Sequence, residues 1–218
     1  MPVLYSLSEE GPARHRTIKK SSPSTMEKIT TTWLELKADD RMSLKEGFAE
    51  KMEIRQVEND AFINFVMFAG VGLPWRWYSR LEWTQAEWDD YFSREDVRTY
   101  LAFEGRKLVG YYELISGKGG GTEIKFIGLL PRYMGSGLGG MLLSHAVKSA
   151  LDSGAVWVWL HTCTNDSETA LANYLSRGFR IVRKEEKMED APGRDELIRK
   201  VAGFFERYYD HYSTLRAR

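Results

Sequence analysis

A single cysteine, Cys163, stands in 218 residues, so no intrachain disulfide framework can exist. With only four histidines beside it, a structural zinc site is not expected either. Neither sign of charge is in excess: 31 Lys and Arg balance 31 Asp and Glu. A neutral chain lacks the positive field that non-specific nucleic-acid or anionic-membrane binding needs. No apolar run approaches the ~18 residues of a membrane span. The longest candidate, around Phe65 to Trp75, is interrupted by Gly70, Gly72 and Pro74. The first sixteen residues carry Glu9, Glu10 and Arg14 where a secretory signal would be apolar. These absences lead us to expect a cytoplasmic protein with no metal, no nucleic-acid partner and no membrane partner.

What is present is the composition of a globular chain, 43% hydrophobic and 28% charged, enough to bury a sizeable core. Residues 1–25 are rich in Ser, Pro and Gly without periodicity and read as an arm or tail. Ile29 to Leu36 is dense in β-branched and aromatic residues, which predicts a strand. Phe62, Phe65, Val66 and Ala69 recur at helical spacing, and Thr84 with Glu87 forms a capping box opening a short helix through Trp88 to Phe92. Val97 to Phe103 and Leu108 to Ile115 predict a hairpin, followed by a strand over Glu123 to Leu130. A helix over Leu138 to Leu151, a strand over Ala155 to His161, a helix opened by Asn165 and Glu168 and ending at Arg177, and a strand over Phe179 to Lys184 complete the domain. Leu197, Val201, Phe204 and Tyr208 form one stripe of a terminal helix. The order implies an α/β or α+β sandwich with a mixed sheet, divided as an arm (1–25), a main domain (26–190) and a helical extension (191–218).

The chemically informative segment is Pro131-Arg132-Tyr133-Met134-Gly135-Ser136-Gly137-Leu138-Gly139-Gly140, between a strand and a helix. Alternating glycines let backbone N–H groups converge without side-chain obstruction, and the helix N-terminus adds unpaired N–H groups and partial positive charge. That pattern suits a phosphate or diphosphate. Gly135, Gly137 and Gly140 also match the dinucleotide fingerprint, but the acid it wants at the end of the next strand is absent, and a hairpin precedes the motif. No Gly-Lys-Ser/Thr follows, so a nucleoside-triphosphate loop is excluded.

Arg132-x-x-Gly135-x-Gly137 with Leu138-Gly139 resembles the acyl-CoA signature of the GNAT superfamily of N-acyltransferases, and Ala170, Tyr174, Gly178 and Phe179 are similar to its A-x-x-x-Y-x-x-x-G-F pattern. The resemblance runs from about Val97 to Val182 and extends to Ile29. It implies a mixed, mostly antiparallel sheet with helices on both faces and a splayed parallel strand pair forming a CoA cleft. It further implies that the N–H groups of Met134, Gly135, Ser136, Gly137, Leu138 and Gly139 hold the diphosphate of acetyl-CoA, that Leu129 and Leu130 pair with the pantetheine arm, and that Arg132 meets a phosphate. Where superfamily members often carry Asn, this chain has Ser167, which leaves Asn165 or Asn173 to supply the amide.

The same resemblance implies that Tyr174 protonates the departing thiolate and that Glu123 is the base, with Glu113 or a water relay as its competitors. A backbone N–H near Leu129 or Leu130 would polarise the thioester. Cys163 and the nearby His161 raise nucleophilic catalysis as a weaker alternative. Trp75, Trp77, Trp83 and Trp88 concentrate in a segment expected either to border the acceptor site or to pack helices on the sheet. The implied activity is acetyl transfer to the primary amine of a small molecule or peptide; the rival is a non-catalytic CoA- or ligand-binding sensor. The terminal helix is expected to cap the acceptor cleft or build a homodimer contact.

Overall fold

The structure, a computed structural model, describes residues 25–39, 44 and 52–216. Its elements run β1 (Thr25–Lys37), β2 (Glu53–Val57), α1 (Ala61–Gly72), α2 (Gln85–Phe92), β3 (Val97–Glu104), β4 (Lys107–Ser116), β5 (Gly121–Leu129), α3 (Leu138–Asp152), β6 (Trp157–Cys163), α4 (Glu168–Leu175), β7 (Arg180–Ala191) and α5 (Arg194–Arg216). The described strands form one seven-stranded sheet in the order β2-β3-β4-β5-β6-β1-β7. All neighbours are antiparallel except β5 and β6.

Both faces of this sheet are covered, which explains why β3 and β4 read as almost unbroken apolar runs. Tyr100, Ala102, Tyr112 and Leu114 join Leu142, Leu143, Ala146 and Val147 of α3 on one face. Their strand neighbours turn to the other face, where Leu101 and Tyr111 meet Met67 and Val71 of α1. On that face Phe65, Trp88, Leu197 and Phe204 also bring α1, α2 and α5 together.

Local sequence accounts for the boundaries. Asp60 caps α1 by accepting from the Ile63 N–H at 2.8 Å. Thr84 and Glu87 make the expected reciprocal capping box. Three expectations are corrected, and one strand is added. β2 is too short and polar (Glu-Ile-Arg-Gln-Val) to show periodicity, and its partner β3 creates it. β7 continues to Ala191 because β1 supplies a partner along its whole length. Ser167, not Asn165, caps α4. That helix stops at Leu175, and Gly178 at φ 95° turns the chain into β7. The anticipated arm over residues 1–25 lies outside the described residues, apart from Thr25, which already belongs to β1.

The placement of β1 was not legible. It enters the sheet between β6 and β7, antiparallel to both. β6 is therefore held along Trp157–Cys163 by β1, while β5 is held by β4. Between themselves, β5 and β6 pair only over Gly121–Glu123 against Trp157–Trp159. Beyond that point they diverge, and a bulge at Lys125 marks the place where β5 turns away.

Candidate active site

The gap between the diverging strands opens into a cavity of about 740 Å³. One wall is β5 from Ile124 to Leu129, the opposite wall is Leu160, His161 and Cys163 of β6, and α4 contributes Ala170, Asn173 and Tyr174. The Leu130 N–H donates to the Val109 carbonyl at 2.8 Å, so it is not open to a ligand. Alternation along an antiparallel strand then turns the N–H and C=O of Leu129 and Ile127 away from β4, toward the gap. Of the two leucines expected to pair with pantetheine, Leu129 has its backbone free to do so and Leu130 does not. Ile127, absent from the sequence reading, joins Leu129.

The glycine turn closes one end of the cavity. Gly135 and Gly137 have φ 75° and 81°, and a Cβ on either would meet nothing within 4 Å. Here glycine serves backbone direction rather than space. Gly137 caps α3 without a side-chain bond, leaving the first N–H groups of that helix exposed. The turn uses some of its own donors: the Met134 N–H is taken by the Pro131 carbonyl at 3.2 Å. The donor set therefore begins at Gly135, and Met134 contributes a side-chain wall. The Ser136 hydroxyl donates to the Tyr133 carbonyl, Leu138 is buried in the core, and Arg132 is exposed with its guanidinium 5.5 Å from the Tyr133 ring. None of these three side chains lines the cavity.

Gly140 has a different reason to be glycine. Its carbonyl accepts from Arg177 at 3.0 Å, and a Cβ there would run into the guanidinium. Arg177 also donates to the Asn173 carbonyl at 3.0 Å, binding the end of α4 to the start of α3. Burial pushes its pKa down.

Tyr174 is 8% exposed and lines the cavity. Burial, with the Asp166 charge second, raises its pKa, so the phenol holds its proton at neutral pH. Glu123 stands back from the cavity, so its expected role as base requires a relay. It lies 3.2 Å from Lys125 Nζ and 3.6 Å from His161 Nδ1, and it forms no part of the cavity wall. Burial works against its charged form, but hydrogen bonding and charge from His161 and Lys125 prevail and lower its pKa. Glu113 is fully buried, clamped by both Arg80 nitrogens at 2.8 Å and by the Tyr91 hydroxyl at 2.6 Å.

The aromatic segment after α1 forms the cavity's outer wall and is fastened at three successive residues, Arg76 to Tyr78. Arg76, at φ 59°, pairs with Glu27 at 2.6 Å and donates to the Ala191 carbonyl at 3.0 Å. Trp77 Nε1 donates to Asp166 at 3.0 Å, and the Tyr78 hydroxyl donates to Glu189 at 2.8 Å. Tyr78 is pushed up to about 12 by burial and by that carboxylate. Trp75 and Trp77 face the cavity, whereas Trp83 and Trp88 pack among Phe65, Tyr91 and Phe92. Asp166 also accepts from Thr162 Oγ1 at 2.7 Å and the Cys163 N–H at 3.0 Å. Cys163 is half-buried, and burial with the Asp166 charge raises its pKa, which disfavours a nucleophilic thiolate. Asp166 and Glu189 carried no local signal; they matter because β1 and the Trp77 loop bring them to the cavity. A second chamber of about 220 Å³ adjoins it, sharing Thr31, His161 and Glu189. Among the described residues no cluster of three His, Cys, Asp or Glu side chains could hold a metal ion, and no helix is long and apolar enough to cross a membrane.

The family model described as Acetyltransferase (GNAT) family matches residues 53–179. An uncharacterized N-acetyltransferase of Mycobacterium tuberculosis is 35% identical over 75 residues, which is 34% of this chain and 47% of that protein. The match thus spans less than half the length of that relative. A GCN5-related N-acetyltransferase from Sphaerobacter thermophilus aligns with TM-score 0.54 at 17% identity, covering 79% of this chain and 54% of the other. One from Kribbella flavida aligns with TM-score 0.52 at 17% identity, covering 75% and 59%. These two structures share the fold.

Proposed function

Because the chain belongs to the GNAT acetyltransferase family, we propose that it transfers an acetyl group from acetyl-CoA to a primary amine of a small molecule or peptide by direct attack. One observation carries this reading. The β5 edge at Ile127 and Leu129 is unpaired toward β6 and leads directly to a glycine turn with outward N–H groups. An extended amide-bearing arm ending in a diphosphate is complementary to that sequence of donors.

The fit is supported from both ends. Gly135 and Gly137 adopt positive φ with open space around them, as a backbone cradle for an anion requires. Tyr174 stands on the α4 side of the gap as a protonated donor. When bound, acetyl-CoA supplies an activated acyl group on a thiol leaving group. The cleft-facing Ile127 N–H, just past the bulge, would donate to the thioester oxygen as charge develops there. Tyr174 gives its proton to the sulfur.

The amine poses the remaining problem. A lysine-like ammonium with pKa about 10.4 needs roughly 4–5 kcal/mol to reach its nucleophilic form at pH 7. Glu123, ionised beside Lys125 and His161, is the acid-side anchor for that proton, reached through a relay because the carboxylate stands behind the wall.

Calorimetry with CoA and thiol release from acetyl-CoA across spermidine, phenylethylamine, lysine and a short peptide test the reading. CoA binding and turnover with at least one amine are expected. Tyr174→Phe should lower kcat by about 100-fold at unchanged CoA affinity. No heat with CoA, or full activity in Tyr174→Phe, refutes the assignment.

A further inference from the structure

We propose that His161 takes the proton from the acceptor amine, with Glu123 as the carboxylate that positions it; the inference rests on the transferase reading above. His161 is one of three residues shared by the main cavity and its side chamber, so an amine passing between them passes the imidazole. Its Nδ1 lies 3.6 Å from Glu123 Oε1, which leaves Nε2 on the opposite edge of the ring. Glu123 itself is 7% exposed and contributes to the wall of neither chamber. It can act on a proton in the cavity only through a neighbour.

The other titratable wall groups are committed elsewhere. Asp166 is occupied by Trp77, Thr162 and the Cys163 N–H. Glu189 accepts from Tyr78, Arg76 pairs with Glu27, and the Cys163 thiol is held protonated. Lys125 is a cation paired with Glu123. The groups facing His161 are therefore Glu123 with its Lys125 from β5, Trp33 at 6.3 Å from β1, Glu185, Lys187 and Glu189 from β7, and Cys163 on its own strand. Of these, Glu123 is the one in direct ion-pairing range of the ring.

The proton balance closes. The ammonium loses one proton to His161 Nε2, and the ring, facing Glu123, passes a proton on to solvent. The amine nitrogen then bonds to the acetyl carbon. As the C–S bond breaks, sulfur leaves with the electron pair and takes the Tyr174 proton. The second nitrogen proton restores Tyr174 through solvent.

The test compares wild type, His161→Gln and Glu123→Gln by the pH dependence of thiol release, with spermidine and with water as acceptors. His161→Gln should lower kcat/KM by about 100-fold near neutral pH, replace the wild-type acidic limb with a rise that continues toward the amine's own pKa of about 10.4, and leave CoA affinity unchanged. Glu123→Gln should keep the limb but lower kcat/KM by about 10-fold, because the ring loses the carboxylate that orients it. An acidic limb with the wild-type midpoint in His161→Gln overturns the proposal. If His161→Gln loses CoA binding, Glu123→Gln decides: wild-type kcat/KM in that variant overturns the pairing. Absence of thiol release from wild type with every acceptor defeats the transferase reading itself, and this inference with it.

Discussion

Glu113 is the sharpest place to separate a structural carboxylate from a catalytic one. It is fully buried, its two oxygens meet the Arg80 nitrogens at 2.8 Å, and Oε1 also takes the Tyr91 hydroxyl at 2.6 Å. Arg80 is itself 3% exposed, with its guanidinium carbon 4.2 Å from the Tyr91 ring, 4.5 Å from Phe126 and 4.8 Å from Trp83. Glu113→Ala would leave that cation dry, with aromatic faces as its remaining partners. Breaking a buried pair from one side costs about 3–5 kcal/mol. For a chain of this size each kcal/mol moves Tm by ~2–4 °C, so a fall of roughly 6–20 °C is expected. Replacing both partners by apolar residues, Arg80→Met with Glu113→Leu, should recover most of it, because no charge is then stranded.

The assay is thermal unfolding followed by circular dichroism, with CoA calorimetry and thiol release on the same samples well below Tm. At that temperature Glu113→Ala should bind CoA normally and show a raised amine KM, since Arg80 anchors the loop whose Trp75, Trp77 and Tyr78 form the cavity's outer wall. A Tm change below about 2 °C together with a collapse of kcat would refute the reasoning and return Glu113 to the chemistry.

Gly137→Ala forces a side chain onto a residue at φ 81°, a strain of about 1–2 kcal/mol, so CoA Kd should rise roughly tenfold as the turn relaxes away from its cradle. Gly140→Ala acts differently, pushing the Arg177 guanidinium off the Gly140 carbonyl, and urea unfolding should show a loss of about 1–3 kcal/mol. Tyr174→Phe, lowering turnover as proposed, should change unfolding free energy by no more than about 0.5 kcal/mol if the hydroxyl serves chemistry rather than packing.

The sequence was most legible where structure is local. The Thr84–Glu87 box, the β3–β4 hairpin and the Gly135–Gly137 turn are each written within a few residues and form as read. Trp83 and Trp88 could not be told apart from Trp75 and Trp77 by type; only the packing of α2 against α1 divides core from wall. Glu123 was found on the expected strand, but pleat and bulge decide which of its neighbours opens to the cavity, and that depends on pairing with β4. His161 stood in plain view beside Cys163, yet its partner lies 38 residues away on another strand. Asp166 and Glu189 depended on contacts with Trp77 and Tyr78 from the other half of the chain.

The placement of β1 yields a final prediction. The family match begins at residue 53 and ends at 179, so it includes neither β1 nor β7, yet Ile29, Thr31 and Glu189 line the cavity. β1 also pairs with the whole edge of β6 that faces away from β5, and so fixes the position of that wall. Ile29 is 5% exposed, and Leu34 and Leu36 are 0% exposed. Burying each is worth about 1.5–3 kcal/mol, roughly 5–9 kcal/mol together. That is comparable with the whole stability of an ordinary domain, about 5–15 kcal/mol. A protein starting after Lys37 should therefore lack a cooperative melting transition and give no heat with CoA. Leu34→Ala, which deletes part of the same contact without removing the strand, should lose about 2–5 kcal/mol and keep its CoA affinity. If the chain lacking β1 melts cooperatively and binds CoA with the affinity of the full chain, the cleft is maintained by β4, β5 and α3 alone. β1 would then be an addition to the sheet and not the element that holds it open.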